Sequence, residues 1–172
     1  EGFNHYFFTK KDVPYKFQPG NFNFELTYSL LGITEYFEQL FKHEFPKEKK
    51  ADFQEKMDKI FELIGRHEER ISKPLISYLN EHPKIRIIGQ NTAEREKRVP
   101  TISFVHNELT SDQIVEKVDD FRIGIRFGDF YAKKLIEDAG LKEKNGVVRV
   151  SLVHYNTLDE VQRLIWILKK VI

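Results

Sequence analysis

The chain has 172 residues, with 28 basic side chains against 27 acidic ones, so no surplus of charge points to a nucleic acid or an anionic membrane as its main partner. It contains no cysteine, which excludes disulfides, thiolate metal sites and a cysteine nucleophile within these residues. No stretch reads as a membrane span and no signal-peptide pattern opens the chain, so a cytoplasmic protein is the expectation.

Glu1-Gly2-Phe3 opens the chain without a methionine and only Met57 occurs, from which an excised part of a larger protein is expected. Residues 1–20 carry Phe3, Tyr6, Phe7, Phe8, Tyr15 and Phe17 among Pro14, Pro19 and Gly20. They show no helical period and read as extended segments and turns. Such aromatics need burial against something; without an interleaved basic stripe, stacking on bases accounts for them less well. Over residues 22–41, Leu26, Leu30, Ile33, Phe37 and Leu40 recur at spacings of four and three and predict an amphipathic helix. The Gly20-Asn21 pair before it reads as a turn, with Gly20 at positive φ and Asn21 as the helix cap. Residues 44–50 form a charged hinge around Pro46. Phe53, Met57, Ile60, Ile64 and Ile71 then predict a long helix lying across a sheet, in preference to a coiled coil, with Pro74 kinking or ending it. His67-Glu68-Glu69 lacks a second histidine four residues away, and no metal site emerges.

The second half alternates strands and helices. Residues 85–88 predict a strand ended by Gly89, residues 91–98 a polar loop, and residues 99–105 a second strand. Thr110 with Gln113 makes a capping box for a helix to about Val118. Residues 122–127 predict a third strand with Ile123, Ile125 and Phe127 on one face. Gly128-Asp129 leads into a helix closed by Gly140. Residues 147–153 place Val148, Val150 and Leu152 on one face of a strand and Arg149 and Ser151 on the other. A turn at His154-Tyr155-Asn156 reaches Thr157, which forms a second capping box with Glu160 and opens a final helix with Val161, Leu164, Ile165 and Leu168 inward. From about residue 81 this is an α+β unit, an antiparallel or mixed sheet with helices on one face. An arginine fixed on a rigid strand suits a bidentate partner such as a substrate carboxylate; an ordinary edge-strand arginine fits the same pattern.

The run RVSLVHYNTLDEV (residues 149–161) resembles the C-terminal signature of class V aminotransferases, fold-type I pyridoxal-phosphate enzymes that include the cysteine desulfurases. The resemblance implies that Arg149 binds the substrate α-carboxylate, and Ser151, Leu152, Tyr155, Asn156 and Thr157 fall on the rest of the signature. PYKFQPGNFNFELTYSLLGITEYF is similar to the segment after the cofactor-lysine strand. It implies that Gly20 and Asn21 contact the cofactor phosphate of the neighbouring subunit, with an asparagine amide where a threonine hydroxyl is expected. In RFGDFYAKKL, Arg126, Gly128 and Ala132 keep the desulfurase frame, while Asp129, Phe130 and Tyr131 replace a His-His-Cys-type run, as in a desulfurase-like subgroup. Arg126 is then a second anion contact. Tyr131, at the cysteine position, has two roles open to it: a hydrogen bond to a cofactor or substrate oxygen, or packing with Phe130 as core.

The family's Schiff-base lysine, pyridine-nitrogen aspartate and ring-stacking residue belong upstream of this chain. The resemblance therefore implies no catalytic residue in it and no tightly bound cofactor. Residues 1–42 would be the tail of the large pyridoxal-phosphate-binding domain and residues 43–172 the small C-terminal α+β domain, beginning with the long helix. The parent would be a homodimeric transferase or lyase acting on an amino acid. The isolated chain would be inactive and self-associating, since its apolar N-terminal helix lacks its large-domain partner. The alternative is a non-catalytic α+β binding or assembly module that keeps the small-domain fold.

Overall fold

Asn23, not Asn21, caps the first helix of the computed structural model, which describes Lys11, residues 20–48 and residues 50–172; the expectations for the aromatic segment before Gly20 lie outside the described residues. Asn23 Oδ1 accepts the Leu26 N–H at 2.8 Å, opening α1 (Phe24–Ser29). The single helix expected here is two, with α2 covering Leu31–Glu44. Ser29 Oγ donates to the Leu26 carbonyl at 2.7 Å, and the Leu30 N–H turns to Thr27 O at 3.2 Å, the tighter bonding of a helix end. Of the apolar stripe, Leu26, Leu30 and Ile33 are exposed and Phe37 and Leu40 half-buried; the buried side chain is Phe41, outside that stripe, its ring 5.2 Å from that of Phe45.

Asp52 and Glu55 bond each other's backbone N–H reciprocally, at 2.9 and 3.0 Å, and start α3 (Phe53–Glu81). Pro74 does not end this helix. Proline removes one N–H donor, but Leu75, Ile76 and Leu79 beyond it are all buried, and their burial, about 1.5–3 kcal/mol for each large side chain, outweighs that loss. By internal contacts the chain divides into one unit ending at Ile60 and a second over Phe61–Ile172.

The second unit is built on a four-stranded sheet of β1 (Ile85–Ile88), β2 (Thr101–His106), β3 (Arg126–Gly128) and β4 (Val147–Ser151). Its order is β1-β2-β4-β3 and every pair is antiparallel. β4 is thus interior, which removes the edge-strand reading of Arg149. The third strand is shorter than its alternation implied. Arg122 has a left-handed backbone (φ 57°), and only Arg126–Gly128 join the ladder. Ile123 and Ile125 still pack against the core from an extended, unpaired segment, while Phe127 is 44% exposed.

One sheet face is sealed. Ile102, Phe104, Val148 and Val150 meet Ile71, Leu75 and Leu79 of α3, Ile114 and Val118 of α4 (Ser111–Asp119), and Val161, Leu164 and Leu168 of α6 (Leu158–Val171). Ile167 takes the fully buried place expected of Ile165, which is only partly buried. His106 closes β2, buried on this same side. Its Nδ1 accepts the backbone N–H groups of Glu108 and Leu109, at 3.2 and 3.0 Å, which fixes the neutral form with the proton on Nε2. Burial first, and then neighbouring His82, push its pKa below the ordinary 6.5.

The other face carries a small apolar cluster of Val105, Val147, Leu141 and Ile136, the last from α5 (Lys133–Asp138), with Ile88 and Phe130 packed on it. Gly140 (φ 67°) terminates α5 as expected. Gly146 lies at φ +79°, and a Cβ there would stand 2.2 Å from Gly128 O; glycine alone lets the start of β4 meet the end of β3.

Candidate functional site

Alternation along β4 sends Val148 and Val150 into the core and Arg149 to the opposite face. Antiparallel register then assembles a row across that face: Ser103 on β2 and Arg126 on β3 both stand directly opposite Arg149, so their side chains leave the sheet on the same side. Arg149 is half-buried and Arg126 exposed. Neither guanidinium has a carboxylate partner among the described residues. Like charges directly opposite each other destabilise a strand pair, and a bound anion relieves that repulsion.

The floor of the row is Phe130. The Arg149 guanidinium carbon sits 3.7 Å from the centroid of its ring, a cation–π contact. The other side of Phe130 packs on the Val105–Val147 cluster. Tyr131 turns away and is fully exposed, which overturns the expectation that it packs with Phe130 as core and leaves its hydroxyl available to a ligand. Spacing gave no hint of the Phe130 contact, because it needs the β3–β4 pairing to bring residues 130 and 149 together. Ser103 was missed for the same reason: its place beside Arg149 follows from register, not from a motif.

The signature residues after Arg149 are mostly structural. Asn156 Oδ1 accepts the Val153 N–H at 2.9 Å, its Nδ2 donates to Glu160 at 3.2 Å, and its carbonyl pairs with His67 Nε2 of α3 at 2.8 Å. The Thr157–Glu160 capping box forms as expected, with bonds of 2.8 and 3.2 Å. These bonds, led by the Thr157 backbone N–H, hold the Glu160 carboxyl below its ordinary range. This clasp fixes the exit of β4 and hence the strand that carries Arg149. Tyr155 is exposed.

Gly20 and Asn21, the residues expected at the cofactor phosphate, belong to the first unit and are exposed. A full cofactor cradle is not present among the described residues. Their lysines are exposed apart from Lys56 and Lys144, which are engaged with Glu38 at 3.4 Å and with Asn107 O at 2.6 Å. Nor does any group of three His, Asp or Glu side chains among the described residues fit a metal ion. What the second unit offers is two arginine forks in register on one sheet face, a geometry suited to a carboxylate.

An α+β unit with an antiparallel sheet and a capped C-terminal helix is the small-domain architecture of fold-type I enzymes. The aminotransferase class-V family model matches residues 48–164, and the chain belongs to that family. It is 35% identical over 151 residues to the aminotransferase-like protein FGM3 of Gibberella zeae, covering 87% of this chain and 34% of that protein. It is 26% identical over 154 residues to a probable cysteine desulfurase of Mycoplasma pneumoniae, covering 90% of this chain and 31% of the relative. The chain thus spans about a third of the length of these relatives. The fold is shared with the apo cysteine desulfurase of Thermococcus onnurineus NA1, with a TM-score of 0.56 and 24% identity over 69% of this chain and 29% of that one. No helix of the described residues is long and apolar enough to cross a membrane.

Proposed function

We propose that this chain is the C-terminal part of a pyridoxal-phosphate-dependent class V aminotransferase or cysteine desulfurase-like enzyme acting on an amino acid, with Arg149 as the clamp for the substrate α-carboxylate. The observation that carries the reading is the Arg149–Arg126 pair, in register on the polar sheet face without a carboxylate partner among the described residues. Bound pyridoxal phosphate supplies the electron sink for bond breaking beside the amino group. This chain's residues bind and orient: Arg149 takes the carboxylate through its planar fork, Arg126 adds a second positive charge, and Tyr131 offers an exposed hydroxyl. Gly20 and Asn21 are assigned to the cofactor phosphate across a homodimer. The 172 residues alone are not a catalyst in this reading. The exposed Phe24, Leu26, Leu30 and Ile33 favour self-association of the isolated chain, which sedimentation at rising concentration reads directly.

Persulfide-forming desulfuration is not part of the proposal. That chemistry needs a thiolate, and Tyr131 stands where the family places the cysteine. Stoichiometric persulfide on the full-length protein after incubation with cysteine overturns this exclusion.

The decisive experiment is Arg149→Lys in the full-length, cofactor-loaded protein. Losing a bidentate, charge-assisted contact worth about 1.5–3 kcal/mol raises KM for the amino-acid substrate by at least tenfold, while the thermal midpoint stays at the wild-type value. An unchanged KM removes the assignment.

A further inference from the structure

Arg149 is a long, flexible side chain, and a carboxylate clamp needs its fork held in one plane before the ligand arrives. Among the described residues its guanidinium makes no hydrogen bond or ion pair that could hold it. The group that does touch it is Phe130, 3.7 Å from ring centroid to guanidinium carbon. Stacking engages only the flat face of the guanidinium, and its five N–H donors lie in the plane and stay free.

Phe130 is itself held from two directions. Its backbone and that of Tyr131 are both left-handed (φ 51° and 65°), a conformation bulky residues keep only where the surroundings over-determine it. The Ala132 N–H closes the turn on Asp129 O at 2.8 Å, and the Tyr131 N–H bonds the Asp129 carboxylate at 3.0 Å. Below, the ring rests on the cluster of Val105, Val147, Ile136 and Leu141. The turn therefore presses Phe130 inward while Tyr131 faces solvent.

We infer that Phe130 is a positioning residue for the carboxylate site: its ring fixes the plane of the Arg149 fork, and the strained 129–132 turn exists to keep it there. This rests on the assignment of Arg149 above and goes beyond it by naming what prepares that arginine.

The test uses the 172-residue chain, with sodium acetate as the probe and the Nε–Hε NMR signals of Arg149 and Arg126 as the readout, assigned by their loss in Arg149→Lys and Arg126→Lys. In the wild type the Arg149 signal carries a ring-current shift and saturates with acetate at lower concentration than the Arg126 signal. In Phe130→Leu, which keeps the left-handed backbone cost and apolar packing but loses the ring, the ring-current shift vanishes. Acetate affinity at Arg149 then falls by about 2- to 13-fold, the cost of ordering one long side chain on binding. Phe130→Trp restores both, showing that an aromatic face rather than the native fold alone is required. Acetate binding at wild-type strength in Phe130→Leu overturns the inference while leaving Arg149 as the carboxylate residue. A wild-type Arg149 signal that ignores acetate overturns the carboxylate assignment, and the inference falls with it.

Discussion

The two faces of the sheet use the same strands for opposite ends. On one, Ile102, Phe104, Val148 and Val150 are sealed under α3, α4 and α6. On the other, Ser103, Arg149 and Arg126 line up beside a small cluster on which, among the described residues, Ile136 of α5, Leu141, Ile88 and Phe130 pack. Neighbours along one strand, Val148 and Arg149, thus divide stability from recognition, and the two-residue period of the strand is what separates them. The difference teaches that damage to one face should leave the other's property nearly intact.

The sharpest way to break that separation is Phe104→Ala. Phe104 is fully buried, and truncation should cost about 3–5 kcal/mol of stability, read as a urea midpoint. Arg149→Lys, one strand away, should leave the midpoint unmoved; an equal loss in both would show that the polar face is also core. Gly146→Ala strikes the seam between β3 and β4, since the new methyl would collide with the Gly128 backbone. It should cost about 1–3 kcal/mol and perturb the amide signals of residues 126–128 before those of β1 and β2.

His106 tests the sealed face by pH. Its neutral form is favoured in the fold, so the unfolded chain binds the extra proton and stability rises with pH. The contribution is complete above the ordinary value of 6.5 and is lost as pH falls from there through the depressed value. Urea midpoints taken from about pH 8 down to about pH 5 should show this loss, and His106→Gln should flatten it. The smallest effect belongs to Thr157→Ala, which removes one capping acceptor of α6 at about 1 kcal/mol. Because that clasp fixes the exit of the arginine strand, the Arg149 NMR signal should broaden by more than so small a stability change explains.

Local chemistry made much of this legible from sequence. The Thr157–Glu160 box gave the start of α6 to the residue, Gly89 and Gly140 ended their elements, and alternation placed Arg149 opposite Val148 and Val150. What failed was set by partners distant in sequence. Alternation cannot distinguish a paired strand from a segment that only packs, so a strand read over residues 122–127 overruns the paired Arg126–Gly128. A proline's local penalty could not reveal that Leu75, Ile76 and Leu79 would carry α3 past it. Of the site, Arg149 and Arg126 followed from the family resemblance, but their juxtaposition, the place of Ser103 and the Phe130 floor required strand order and register.

An anion bound between the in-register arginines would also add a term to the folding equilibrium. Two like charges held opposite each other weaken the native sheet and cost the unfolded chain far less. An anion that settles between them binds the native state preferentially, and the apparent stability then climbs with the logarithm of its concentration once that exceeds the dissociation constant. Divalent sulfate should therefore raise the melting temperature more than chloride at matched ionic strength, and the increment should vanish in Arg126→Gln. A bound anion, in this sense, would complete the charge balance that the strands leave open.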